Sequence, residues 1–151
     1  VIKGLEPQAK AAGVTVSLDL VSSNEMVPGD AGQLVQVFTN LIENAIKYGA
    51  SGGAVAVHLM PRAMHQRLRG EAVEVRVADK GDGIPEHHIA RLTERFYRVD
   101  NHRSREVGGT GLGLAIVKHI INRHRGRLLI ASEEGQGTTV SVFLPTAPPV
   151  S

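Results

Sequence analysis

The chain has 151 residues, enough for one domain with a core of its own; 42% of them are hydrophobic and 21% charged, an ordinary globular composition. A net charge of +2, even with a pI near 9.2, is too small to argue for a nucleic-acid partner. The absence of cysteine excludes a disulfide framework and a thiolate metal site and fits a reducing compartment, and there is neither a membrane-length apolar run nor a signal peptide.

Residues 5–12 read as a short helix, and residues 14–20, VTVSLDL, alternate as a strand. Asp30 opens a longer helix, with Gln33 three residues on completing a capping box. Its apolar positions are Leu34, Val37, Phe38, Leu41, Ile42 and Ala45, the repeat of one helix face. Residues 54–60 and 72–78 alternate as two strands, with the polar stretch 61–70 as their hairpin loop. A short helix is expected after Pro85 and a polar loop over 97–109. A further helix runs from Gly111 to Arg125, with Gly126 as its C-cap. Strands over 127–132 and 138–144 close the domain, 1–146, and APPVS (147–151) is a tail. The order implies an α/β two-layer sandwich, a mixed and mostly antiparallel sheet with helices on one face. The chain starts at Val1 rather than Met and is expected to be part of something longer, its first dozen or so residues serving as a linker helix.

Residues 108–114, GGTGLGL, form a glycine run that leads into a helix, a place where backbone N–H groups and the positive dipole end can hold a phosphate. It is not a Walker A loop, because Gly113 is followed by Leu114 rather than Lys. It is not a dinucleotide fingerprint either, because Leu114 stands where the third glycine belongs and no strand precedes the run. From the run alone, a glycine hinge without ligand remains open.

Two polar clusters bear on the choice. At 100° per residue, Asn40, Asn44, Lys47 and Tyr48 fall within an arc of about 100° beside the apolar stripe. This is either a solvated face or a ligand-facing one, on which amide oxygens can meet a hard cation, Lys a phosphate and Tyr a base. Asp79 shares the parity of Val73, Val75 and Val77, so its carboxylate points to the buried side and needs donors. It belongs to DKGDGI (79–84), where Gly81 and Gly83 admit close approach; an Asp that bonds its own loop is the structural alternative.

Together these stretches resemble the catalytic ATP-binding domain of sensor histidine kinases, in the superfamily of gyrase-type ATPases (the Bergerat fold). NLIENAIKYG (40–49) resembles the asparagine box, DKGDGI the first glycine box, TERFYRVD (93–100) the phenylalanine box, GGTGLGLA (108–115) the second glycine box, and GQGTTV (135–140) the last Gly-Thr element. Five motifs in order over nearly the whole chain make a specific match. HHIARLTERFYRVD with GTGLGLAIVKHIINRH more narrowly resembles the phosphate-regulon sensor kinases.

The resemblance implies residue roles. Asn44 binds Mg²⁺ and Asn40 supports it; Lys47 meets the phosphates and Tyr48 packs on adenine. Asp79 accepts from the adenine amino group, with Thr138 in that network. Gly81, Gly83 and Ile84 line the base pocket. Residues 97–109 form a mobile lid, Arg98 reaches the γ-phosphate, and Gly109, Thr110, Gly111, Leu112 and Gly113 wrap the triphosphate, so that Lys47 and Arg98 are the catalytic pair. Gyrase-type ATPases carry a glutamate where this chain has Asn40, and an amide is a poor base, so slow hydrolysis is expected.

None of the histidines at 58, 65, 87, 88, 102, 119 and 124 lies in the family's acceptor pattern, and each reads as a surface or packing residue. The resemblance therefore implies a phosphoacceptor histidine on a separate dimerisation domain, a response regulator downstream, a monomeric domain here within a homodimeric parent, and a cytoplasmic site in an inner-membrane protein that senses phosphate. A non-catalytic nucleotide-binding module is the alternative. Nucleic-acid binding through Arg91, Arg95, Arg98, Arg103 and Arg105 is disfavoured by Glu94, Asp100 and Glu106 among them.

Overall fold

The structure, a computed structural model, describes residues 2–20, 29–48, 52–65, 70–81, 83, 113–133 and 135–146. The elements are α1 (Ile2–Ala11), β1 (Thr15–Leu20), α2 (Ala31–Tyr48), β2 (Ala54–His65), β3 (Gly70–Asp79), α3 (Gly113–Arg123), β4 (Arg127–Glu133) and β5 (Gly137–Pro145). The expected short helix after Pro85, the 97–109 loop and the 147–151 tail lie outside the described residues.

The strands form one sheet in the order β1-β2-β3-β5-β4. β1 pairs parallel with β2, and the other three pairings are antiparallel. A parallel neighbour cannot be reached by a tight turn, so α2 carries the crossover between β1 and β2. Alternation sends Val55 and Val57 of β2, Val73 and Val77 of β3, and Val142 and Leu144 of β5 to one face, where all are buried. Against them lie Val37, Leu41, Ile42, Ala45 and Ile46 of α2, Val117, Ile120 and Ile121 of α3, and Leu5 and Ala9 of α1, all in a single cluster. This is the expected two-layer arrangement, with the helices on one side.

Boundaries shift where chemistry overrides pattern. α1 begins at Ile2, three residues early, and keeps Pro7 inside it. β2 and β3 run on through the expected loop, reaching His65 and starting again at Gly70. The pairing register slips between Met60 and Ala63, which is where Pro61 has no N–H to give the ladder; the proline is absorbed as an irregularity instead of ending the strand. The capping box forms by half: Asp30 Oδ1 accepts the Gln33 N–H at 3.0 Å, but the Asp30 N–H goes to His124 Nε2 at 3.0 Å.

The C-cap of α3 lies one residue before the expected Gly126. Arg125 takes the left-handed conformation, φ 59°, with its N–H on the Asn122 carbonyl at 3.0 Å and the Gly126 N–H on the Ile121 carbonyl at 2.9 Å. Gly126 is a glycine for a different reason: a β-carbon there would sit 2.3 Å from the Phe143 carbonyl oxygen. α1 ends with the same hydrogen-bond pattern, but there Gly13 occupies the left-handed position, φ 72°.

Candidate nucleotide site

Asp79 is the last residue of β3, the middle strand of the sheet, and its register partners are Val55 on β2 and Thr138 on β5. It shares the core-facing side with Val73, Val75 and Val77, as its parity implies, and is half-buried. The Gly81 N–H donates to Oδ1 at 2.8 Å, the loop bond expected of a structural aspartate. Burial nevertheless pushes the Asp79 carboxyl above the usual aspartate range, although backbone N–H groups of Gly81 and Thr138 act to lower it. The loop bond therefore leaves part of the desolvation uncompensated, and a donor brought by a ligand would relieve it. Gly81 is buried, and Gly83 takes φ 75°, a conformation that suits glycine.

Thr138 stands opposite Asp79 on β5 and opposite Ser132 on β4. Its hydroxyl lies 2.7 Å from Ser132 Oγ, which itself donates to the Gly137 carbonyl at 3.0 Å. With the Ser132 proton on that carbonyl, the bond between the hydroxyls runs from Thr138 to Ser132. Ser132 was not among the expected site residues; only the pairing of β4 with β5 reveals it.

The other half of the site comes from α2. Asn40, Asn44 and Lys47 are each half-buried along the edge of the core formed by Leu41, Ala45 and Ile46. Exposure does not single them out, since Glu43 is half-buried as well. Their common helical phase does, because positions four and three apart stack on one side of the helix. Tyr48 is the last residue of α2, and its side chain is outside the description. From there only residues 49–53 separate the helix from β2, whose start pairs beside Asp79, so the last turn of α2 is held near the end of β3. Gly113 is the first residue of α3, while Ile84, Arg98, Gly109, Thr110, Gly111 and Leu112 lie outside the described residues. Among the described residues, no three His, Cys, Asp or Glu side chains gather as a metal centre.

A family model for histidine kinase-, DNA gyrase B- and HSP90-like ATPases matches residues 29–148. The chain belongs to that family. Within it, the chain is 44% identical over 116 residues to the sensor protein kinase WalK of Staphylococcus saprophyticus, covering 77% of this chain and 18% of that protein. Among solved structures of this ATPase family, full-length ShkA in complex with AMPPNP superposes with a TM-score of 0.77 at 26% identity, over 99% of this chain and 29% of ShkA. The mycobacterial sensor histidine kinase MprB gives 0.75 at 28% identity, over 97% of this chain and 92% of that one. The chain thus spans under a fifth of the WalK relative's length. The narrower resemblance to phosphate-regulon kinases is not supported, since these relatives carry the WalK name. Among the described residues, no helix is long and apolar enough to cross a membrane.

Proposed function

We propose that this domain binds Mg²⁺–ATP and donates the γ-phosphoryl group to a histidine on a separate phosphoacceptor domain of a longer two-component sensor kinase. The observation that carries this reading is Asp79: a half-buried carboxylate at the mouth of the sheet, raised in pKa by burial yet kept on two backbone amides. A ligand amino group would satisfy it, and adenine presents one. The likeness to ShkA, solved with an ATP analogue, and to WalK, named a sensor kinase, supports the same reading.

In this reading Asp79 fixes the base, Gly81, Gly83 and Ile84 line its pocket, and Tyr48 packs on its face. Lys47 and Arg98 offset phosphate charge, the 109–113 run wraps the triphosphate, and Thr138 accepts from a water beside the base. Asn44 would give a Mg²⁺ carried on the phosphates its protein oxygen, supported by Asn40. The metal supplies charge neutralisation on the phosphate oxygens. In the transfer, an imidazole nitrogen of the acceptor histidine forms a bond to the γ-phosphorus, the bond from that phosphorus to the bridging oxygen breaks, and ADP departs. A response regulator then takes the phosphoryl group, and the parent protein is a membrane-anchored homodimer.

Calorimetry of the chain with Mg²⁺–ATP tests the site. One-to-one binding is expected, abolished by Asp79→Asn and weakened by Asn44→Ala chiefly when Mg²⁺ is present. Adding the acceptor domain should give an acid-labile phosphohistidine on it. Binding without any transfer would make this a non-catalytic nucleotide module; binding indifferent to both substitutions would remove the site.

A further inference from the structure

Two glycines that the motif roles leave unassigned close on the same peptide unit. Gly52 lies two residues before β2, and a β-carbon on it would stand 2.2 Å from the Lys80 carbonyl oxygen, 2.4 Å from its carbonyl carbon and 2.8 Å from its Cβ. Gly137 opens β5, and a β-carbon there would stand 2.2 Å from the Asp79 carbonyl oxygen, 2.9 Å from Lys80 Cα and 3.0 Å from the Asp79 carbonyl carbon. β2 and β5 are the two neighbours of β3, so the Asp79–Lys80 backbone is approached from both flanks at the point where the strand ends. The contacts on this peptide are mainly with backbone, which cannot swing aside as a long side chain does. Gly137 also needs its freedom for φ 111°; Gly52 is not among the glycines of positive φ, so at Gly52 close approach alone excludes a side chain.

We propose that Gly52 and Gly137 are positioning residues that hold the Asp79–Lys80 peptide between them, so that the Asp79 carboxylate meets the base in one pose and selects a purine carrying a 6-amino group. The proposal rests on Asp79 as the acceptor for that amino group. The Gly81 N–H that donates to Asp79 Oδ1 is one residue beyond the clamped unit, so a shift of the Lys80 carbonyl moves both the carboxylate and the donor that orients it. A guanine would bring a carbonyl to the same place, against the carboxylate, and discrimination would therefore follow the clamp.

The test is calorimetry with Mg²⁺–ATP, Mg²⁺–GTP and Mg²⁺–tripolyphosphate on the 151-residue chain and on Gly52→Ala, Gly137→Ala, Gly135→Ala and Asp79→Asn. Gly135 is in the same β4–β5 hairpin as Gly137 with φ 79° and nothing within 4 Å of a β-carbon, so its substitution carries backbone strain without contact. Gly52→Ala should weaken ATP about tenfold or more and tripolyphosphate less than about twofold, and the ATP-over-GTP preference should shrink by the factor lost on ATP. Gly137→Ala should do the same, and Gly135→Ala should keep the preference. Equal weakening of all three ligands in Gly52→Ala, or an unchanged preference, would overturn the clamp. Asp79→Asn is read separately: if it keeps the preference, the adenine reading itself fails and the clamp with it. If the glycine variants do not fold, the amides of Lys80 and Gly81 in the nucleotide-free parent decide. Order parameters near about 0.85 are expected of a clamped peptide, and values below about 0.6 would overturn it.

Discussion

The two ends of α2 are built on opposite plans. At its start, polar groups close on one another. Asp30 caps the helix through Gln33, its own N–H enters the His124 ring, and His124 Nδ1 lies 2.8 Å from the Ile120 carbonyl. A carbonyl oxygen only accepts, so Nδ1 carries the proton and Nε2 is left to accept, which the Asp30 N–H requires. A β-carbon on Gly29 would lie 2.5 Å from the same ring. At its other end the helix presents two amides and an ammonium along the core edge, beside a sheet whose middle strand stops on a carboxylate pushed up by burial. One end stabilises the fold and the other holds groups that are better satisfied by a ligand. Stability and binding are therefore separable along a single helix.

Substitutions at each end should break that separation or confirm it. The largest effect is expected of Asp79→Asn: loss of ATP binding, by about a hundredfold or more, without loss of stability. The folded-state pKa of Asp79 is raised, so the native state holds the proton more tightly than the unfolded chain does. The parent's stability from this group is then fullest below the ordinary aspartate range and falls as pH rises through the raised value. Urea midpoints measured from acid to neutral pH should show the parent losing ground to Asp79→Asn over that window. At neutral pH the variant's Tm should be equal or higher, by about 2–4 °C for each kcal/mol relieved.

Gly126→Ala comes next, at the packed end of α3. Its β-carbon would press on the Phe143 carbonyl and stand 3.2 Å from Ile121 Cγ2, and the expected cost is about 1–3 kcal/mol in chemical denaturation with ATP affinity unchanged. His124→Ala leaves the exposed Asp30 N–H to water and should cost about 0.5–1.5 kcal/mol; His124→Gln, whose amide oxygen reaches the Nε2 position, should recover part of it. The smallest effect is a gain: Arg125→Gly frees a left-handed position of its side-chain strain and should add about 1 kcal/mol. ATP affinity that moved in any of these three would mean that the two ends of the helix pair are not independent.

The sequence carried the sheet, the helix layer and the phase of α2, because alternation and the 3.6-residue repeat are local signals. It carried the parity of Asp79 for the same reason. What escaped was set by partners distant in the chain. The second half of the capping box went to His124, 94 residues away, where no i+3 rule could find it. Gly126 looked like a C-cap because glycine usually is one, but its role is close approach to β5, and Arg125 bears the strained conformation. Ser132 and Gly52 acquire meaning only from the register of β4 with β5 and of β2 with β3. The strand extension past Met60 escaped because Pro61 reads locally as a stop.

The lone parallel strand has a consequence for how the molecule assembles. β2 with β3, and β4 with β5, pair between chain neighbours, and these ladders can form by short-range closure. Among the described strands β1 has one neighbour, β2, and reaches it across the whole of α2, with Leu18 still 52% exposed after docking. Its closure waits for the helix to seat on the sheet, and, held on one side only, it should open ahead of the middle strands. Backbone amides of β1 should therefore exchange with solvent through a partial opening that leaves the Asp79 end of the sheet shut.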